Sequence, residues 1–376
     1  MREQQFDLLR VLCAFAVVVM HVSAQFIAAN KGQDSYCLLY SLLYATVFRF
    51  AVPCFIMLSG AFILSNSKNA NFLYFYKKSF LKFFVPVFFF SFLYYVYSNL
   101  LILLRHTLIQ QPEFLTVENF LIPLLEWFKG EPFYHLWYMY TLIGLYCVAP
   151  IIVRLRQDIG VQTFSKVAWT LLFVNCILAW GKDEVVYWDP AYVINYIGYF
   201  MVGCCIRDMI GREGGNNLGF VLFITLGLIF EVIAAFGAYW QFSGSEMIIA
   251  TVFPSWTSNH SPLIVLSSVL IFWGFSLLKI NRSFSFLSGL TFVTYLVHAG
   301  LLQILQILSG KNFFNIYSET DSPILSIPII TLITFLLSMF AAYIYKISKI
   351  DIWMEFIAEA ILKKYSVKRH PSEPLK

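Results

Sequence analysis

The stretch FDLLRVLCAFAVVVMHVSAQFIA, residues 6–28, predicts a helix that spans a membrane and carries two ionisable side chains, Arg10 and His21. Ionisable groups inside a bilayer are costly, so a span that keeps two of them indicates a functional site. Eleven residues at about 100° each return to within roughly 20° of the starting direction, so both side chains share one helix face. They lie about 16 Å apart along the axis, which is about half of a hydrocarbon core of ~30 Å. One polar stripe is therefore expected to link the cytoplasmic edge to the middle of the membrane.

The composition places the whole chain among the polytopic membrane proteins. Of 376 residues, 59% are hydrophobic and 12% are charged, whereas soluble domains carry about 25% charged residues. The seven cysteines show no spacing typical of a metal site, so we expect no bound metal. The first segment is interpreted as a retained helix, because Asp7 and Arg10 interrupt its front and no clear cleavage site follows.

Hydropathy along the chain predicts an all-α protein with about ten transmembrane helices. The expected spans are 6–28, 37–64, 79–104, 135–154, 164–181, 192–207, 218–238, 261–279, 286–308 and 324–347. The segment 113–130 mixes apolar residues with three glutamates and is interpreted as an interfacial helix. Residues 1–350 then form one transmembrane domain, and residues 351–376 form a basic C-terminal tail.

The positions of lysine and arginine predict the orientation of these spans. With the N-terminus inside, the inner segments and the C-terminal tail hold twenty of these residues, and the outer loops hold five. This bias favours cytoplasmic N- and C-termini, in the inner membrane of the cell. It also accounts for the net charge of +5 without a nucleic-acid partner.

Counting residues from the inner end of each span predicts a level shared by four ionisable side chains. His21, Arg49, Glu231 and His298 are each expected about 18–22 Å from the inner edge. Four such groups at one depth suggest a common polar cavity. Arg10 and Ser59 are expected together at a shallower level.

Each of these residues also has a structural interpretation. Arg10 and His21 could hold helices together as polar contacts, and Asp7 could pair with Arg10 at i, i+3. Arg49 precedes Pro53 by four residues, which predicts a kink, because proline displaces the carbonyl at i−4. Glu231 could be the buried partner of Arg49, or could line a water-filled gap.

Three further positions leave similar alternatives open. His298 could be a packed, hydrogen-bonded core histidine. Ser59 and Gly60 could serve close helix packing as small residues. His135 begins the fourth span at the outer face, where the neighbouring Trp137 and Tyr138 also fit an interfacial aromatic belt.

Four elements in this order resemble the acyltransferase-3 family of integral membrane acyltransferases. The elements are Arg10 with His21, VPCFIMLSG at 52–60, HLW at 135–137 and YLVH at 295–298. No single element is specific, but the four span almost the whole chain on a frame of ten helices. Arg49 ahead of the proline resembles most the branch that contains the enterobacterial common antigen O-acetyltransferase. The family often has a basic pair spaced by two residues at the inner end of the third helix, and here Ser79 replaces the first member, beside Lys78 and ahead of Lys82.

The resemblance implies transfer of an acetyl group from acetyl-CoA to a sugar hydroxyl of a cell-envelope glycan or of its polyprenyl-linked precursor. Arg10 could then bind a phosphate of coenzyme A, with Lys78 and Lys82 near it. A neutral His21 could remove the proton of the acceptor hydroxyl, or could carry the acyl group itself. Arg49 could stabilise the developing oxyanion or orient a sugar. Ser59, His135, Glu231 and His298 are the remaining candidate substrate contacts, and no cofactor beyond the donor is expected.

A membrane transporter or glycan flippase is the alternative from another functional class. Buried charges in the middle of the membrane and a kinked helix suit a transport path equally well. Against it, the sequence shows no internal repeat and no matching pair of broken helices, which many secondary transporters have.

Overall fold

The computed structural model is all-helical throughout the residues it describes, which are 3–32, 35–109, 125, 127, 133–178, 190–213, 215–243, 255–308, 323–350, 352–356 and 359. The helices are α1 (Gln4–Asn30), α2 (Tyr36–Val47), α3 (Ala51–Ile63), α4 (Phe72–Ser79), α5 (Val85–Ile109), α6 (Trp137–Leu178), α7 (Pro190–Glu213), α8 (Asn217–Phe242), α9 (Pro262–Leu277), α10 (Ser285–Ser288), α11 (Thr291–Leu308) and α12 (Pro323–Ile347). A 3-10 turn, Ser67–Ala70, precedes α4, and a π-helix, Phe80–Phe84, joins α4 to α5.

Seven helical stretches in the described residues are long and apolar enough to cross a membrane. They are Gln4–Asn30, Tyr36–Ile63, Phe72–Leu100, Trp137–Leu178, Val193–Ile210, Asn217–Phe242 and Pro323–Ile347. Two further apolar helices, Pro262–Leu277 and Thr291–Gln306, are shorter. The all-α class and the multi-pass character are thus confirmed, while the number ten and the cytoplasmic termini stay predictions. Most of the predicted interfacial helix 113–130 and of the tail 351–376 lies outside the described residues.

Two interruptions of the helices follow from single residues. The predicted kink near Pro53 is confirmed, because residues 48–50 leave the helix between α2 and α3. Within α6, Gly160 has φ 75° and ψ 162°, a left-handed conformation that favours glycine. The fourth and fifth predicted spans therefore meet at one residue, because the helix continues past residue 154, where the fourth span was expected to end, and resumes before residue 164, where the fifth was expected to begin.

The π-helix also has a local cause in the sequence. Pro86 has no amide hydrogen to donate to the carbonyl of Lys82, and its ring crowds that carbonyl. Widening the preceding turn relieves this conflict, and such π-bulges often occur at functional sites. Lys82 lies within this widened turn.

The core is built where α3 and α7 cross in direct backbone contact. A Cβ atom on Gly60 would lie 1.7 Å from the carbonyl oxygen of Phe200, and one on Gly203 would lie 2.0 Å from that of Met57. Only glycine permits this approach, which supports the small-residue interpretation of Gly60. The two helices hold the polar residues of α1 and α6 in fixed positions around them.

Candidate active site

Arg10 is held in place by a buried carboxylate of its own helix. Its Nη1 donates to Oδ1 of Asp7 at 2.8 Å, and Oγ of Ser288 donates to the same oxygen at 2.8 Å. The Asp7 side chain is 1% exposed, whereas that of Arg10 is 27% exposed. The predicted i, i+3 pair is therefore confirmed. It fixes one edge of the guanidinium, while the group itself remains accessible.

Arg10 and Ser59, which were expected at the same shallow depth, have a neighbour in common. Tyr146 on α6 interacts with both residues, through a hydrogen bond to Ser59 and through the charge of Arg10. The guanidinium lies 4.6 Å from the ring centre of Phe62, and that of Arg207 lies 4.5 Å from the same ring. Each of these arginines is paired with a carboxylate, Arg10 with Asp7 and Arg207 with Glu3, at the end of the molecule where α1 begins.

Eleven residues further along α1, His21 belongs to a cluster of three histidines from three segments of the chain. The ring centroids of His21 and His298 are 5.2 Å apart, and those of His298 and His135 are 5.0 Å apart. His135 and His298 are fully buried, whereas His21 is half-buried. Two tyrosines enclose the cluster. The ring centroids of Tyr134 and His21 are 5.1 Å apart, and those of Tyr295 and His298 are 5.4 Å apart. His21 is thus the least buried of the three histidines.

His135 lies in the protein interior, beside the other two histidines, and is 0% exposed. Its neighbour Tyr138, which could have belonged to an aromatic belt, is 3% exposed. The loop before α6 is tied to α11, because Oη of Tyr295 donates to the carbonyl of His135 at 2.5 Å. Tyr94 ties α5 to α11 through the carbonyl of Leu296 at 2.8 Å. The bond from Tyr295 thus holds the backbone of His135 against α11.

Arg49 links the histidine cluster to a buried carboxylate on α8. Its charge acts on the Glu231 carboxylate and also on His21. Glu231 is 0% exposed, and its Oε1 accepts a hydrogen bond from Oγ of Ser267 at 2.6 Å. The helix break at 48–50 places Arg49 at this point, since its backbone lies between α2 and α3. The structure therefore brings together the four side chains that were predicted to share one level, and favours Glu231 as the partner of Arg49.

Lys78 lies on α4, and Lys82 lies on the π-helix that follows it. Both are exposed, and Nζ of Lys78 lies 5.9 Å from the ring centre of Tyr74 on its own helix. In the part of the chain that the structure describes, neither lysine joins the cluster around His21. No group of three or more His, Cys, Asp or Glu side chains within the described residues is placed to hold a metal ion.

Sequence reasoning missed several residues of the site. Tyr146 and Ser267 gave no signal, because a single tyrosine or serine in an apolar helix is common. Tyr134 could have been singled out by its position beside His135. Ser288 lies in the short helix α10, where sequence alone predicted only the start of a span.

A comparison with protein-family models identifies an acyltransferase domain over residues 3–343. No curated protein matches the chain, and no solved structure matches it.

Proposed function

The chain belongs to the acyltransferase-3 family, and from this membership we propose that it is a membrane O-acetyltransferase that uses acetyl-CoA to acetylate a sugar hydroxyl. The acceptor we propose is a cell-envelope polysaccharide or its polyprenyl-linked precursor, as in the branch that the sequence resembles most. The inner membrane is the proposed location. Family membership favours acyl transfer over the transporter alternative.

The observation that carries the proposal is the division of α1 into two sites. Arg10 offers an oriented guanidinium on a side chain that is 27% exposed, which suits a phosphate of coenzyme A. The pantetheine arm is long and slim, so a donor bound there can extend along the same helix face toward His21. Arg10 and His21 are about 16 Å apart along the helix axis. This separation suits acetyl-CoA, in which the pantetheine arm separates the charged phosphates from the reactive thioester.

The chemistry at the mid-membrane end of this stripe follows from the residues around His21. A neutral imidazole removes the proton of the acceptor hydroxyl as its oxygen attacks the thioester carbonyl. The guanidinium of Arg49 stabilises the negative charge that develops on the carbonyl oxygen. The carboxyl group of Glu231, which accepts a hydrogen bond from Ser267, supplies the opposite charge that Arg49 acts on. An acyl-histidine intermediate on His21 is the second route that this arrangement allows.

The function is tested by comparing the envelope glycans of a wild-type strain and a deletion strain by NMR. We expect the acetyl signals of one sugar position to be lost in the deletion strain and restored by the wild-type gene. The lost signal would identify both the acyl group and its position. Unchanged acylation of every envelope glycan would contradict the proposal.

Replacing Arg10 with alanine is expected to weaken donor binding more than turnover. Because a hydrogen bond to a charged group contributes about 1.5–3 kcal/mol, the KM for acetyl-CoA should rise by roughly 10- to 100-fold. Thermal stabilisation of the purified protein by acetyl-CoA should decrease in parallel. Arg154→Ala is the control, since this arginine also lies 4.4 Å from an aromatic ring, that of Phe72, but lies on α6. An unchanged KM in Arg10→Ala would assign Arg10 another role.

A further inference from the structure

The two buried histidines beside His21 have defined protonation patterns. Nδ1 of His298 lies 2.6 Å from the carbonyl oxygen of Tyr295, and Nε2 of His135 lies 3.3 Å from that of Leu296. A carbonyl oxygen only accepts hydrogen bonds, so each of these nitrogens carries the hydrogen. The opposite nitrogens, Nε2 of His298 and Nδ1 of His135, then hold lone pairs. Both are buried and have no hydrogen-bond partner among the described residues.

A buried acceptor without a partner is costly, so its retention calls for an explanation. Two such nitrogens lie in adjacent rings next to His21. Both histidines are fully buried, so a substrate at His21 does not touch them directly. We therefore look for a role of these lone pairs during the reaction rather than in the resting protein. A basic nitrogen with a lone pair binds a proton, so the role we consider is temporary storage of a proton.

We propose that His298 is a positioning and proton-storing residue for His21. This inference rests on the proposed acyl transfer. Imidazole rings that share an N–H···N hydrogen bond have centroids about 5 Å apart, given a donor–acceptor distance of about 2.9 Å. His21 and His298 are 5.2 Å apart, so a small rotation of the half-buried His21 ring completes the contact.

The proton balance of the reaction assigns each step. As the hydroxyl oxygen bonds to the thioester carbon, its proton passes to one nitrogen of His21, and the other nitrogen gives its proton to Nε2 of His298. The resulting imidazolium is stabilised through Nδ1 by the carbonyl of Tyr295. When the carbon–sulfur bond breaks, the proton returns through His21 to the leaving thiolate. Ester and free thiol are the products, and both histidines are neutral again.

The test is a set of His298 variants assayed as purified full-length protein in nanodiscs. In His298→Gln, hydrogen bonding persists but no proton can be stored, so kcat should fall about 100-fold while both KM values stay unchanged. The matched control is His260→Gln. His260 is also buried with an unpartnered Nε2, but it packs against Tyr196 and Tyr199 instead of His21. Its variant should keep the wild-type kcat.

Chemical rescue separates proton storage from packing. In His298→Ala, added imidazole should restore part of kcat, whereas pyrazole, which has the same shape and is a far weaker base, should not. An equal response to both compounds, whether both rescue or neither does, would overturn the proposal. So would a kcat of His298→Gln within about threefold of wild type, against the 100-fold expected loss.

A measurement on the wild-type protein covers the case in which the variants do not fold. Two protons move in one step. A plot of kcat against the deuterium fraction in mixtures of light and heavy water should therefore be curved. A straight line would reject storage at His298 while acyl transfer itself stands. Absence of acyl transfer by the wild-type protein would instead refute the proposed function.

Discussion

Replacing His21 with alanine is expected to abolish acyl transfer while leaving the protein inserted and folded. His21 is the half-buried member of the histidine cluster, and both routes considered for the reaction pass through its imidazole. Loss of a general base lowers rates by about 10²–10⁴-fold, and loss of an acyl carrier would remove the reaction altogether. The measurement is transfer of labelled acetyl groups from acetyl-CoA to the host glycan, together with the thermal unfolding midpoint.

Met20→Ala is the matched control for this variant. Met20 is the adjacent residue, is also half-buried and packs against the hydrophobic core. Its truncation should reduce stability modestly and leave acyl transfer in place. Full acetylation by the His21→Ala variant would remove His21 from the mechanism. Labelled protein isolated after a brief reaction with acetyl-CoA would favour the acyl-histidine route over direct transfer.

The parts of the site that lie along one helix could be predicted from the sequence. Arg10 and His21 share a face because the helical period is fixed, and Asp7 reaches Arg10 because residues three apart are neighbours. The break near Arg49 was also predictable, since proline interferes with the carbonyl four residues before it. These features depend on local geometry alone.

The parts that depend on contacts between distant segments could not be predicted in the same way. Depth in the membrane suggested that His298 and Glu231 lie level with His21, but it does not show which helices are neighbours. Counting along the chain placed His135 at the start of the fourth span, which does not show that it lies beside His298. A hydrogen bond from Tyr295 to the carbonyl of His135 joins the two segments. Nothing in the spacing of residues 133–137 indicates Tyr295 as a partner.

Removal of the Arg49 charge is expected to cost both stability and activity. Glu231 is fully buried, and the charge of Arg49 acts on its carboxylate. Removing the cation leaves the buried carboxyl group of Glu231 without that compensating charge, which lowers the free energy of unfolding. Arg49→Gln should therefore unfold at a clearly lower temperature and show almost no acyl transfer. Arg156→Ala should have a smaller effect, since its pair with Asp208 is partly exposed, at 18% and 21%.

The double variant Arg49→Gln with Glu231→Gln separates the two contributions. Neutralising both partners removes the uncompensated charge, so the unfolding temperature should return toward that of the wild type. Activity should not return, because no guanidinium is left to stabilise the oxyanion beside His21. Recovery of acyl transfer in the double variant would show that Arg49 serves only to neutralise Glu231. A purely structural cation and a catalytic cation thus differ in the one variant where stability and turnover are expected to separate.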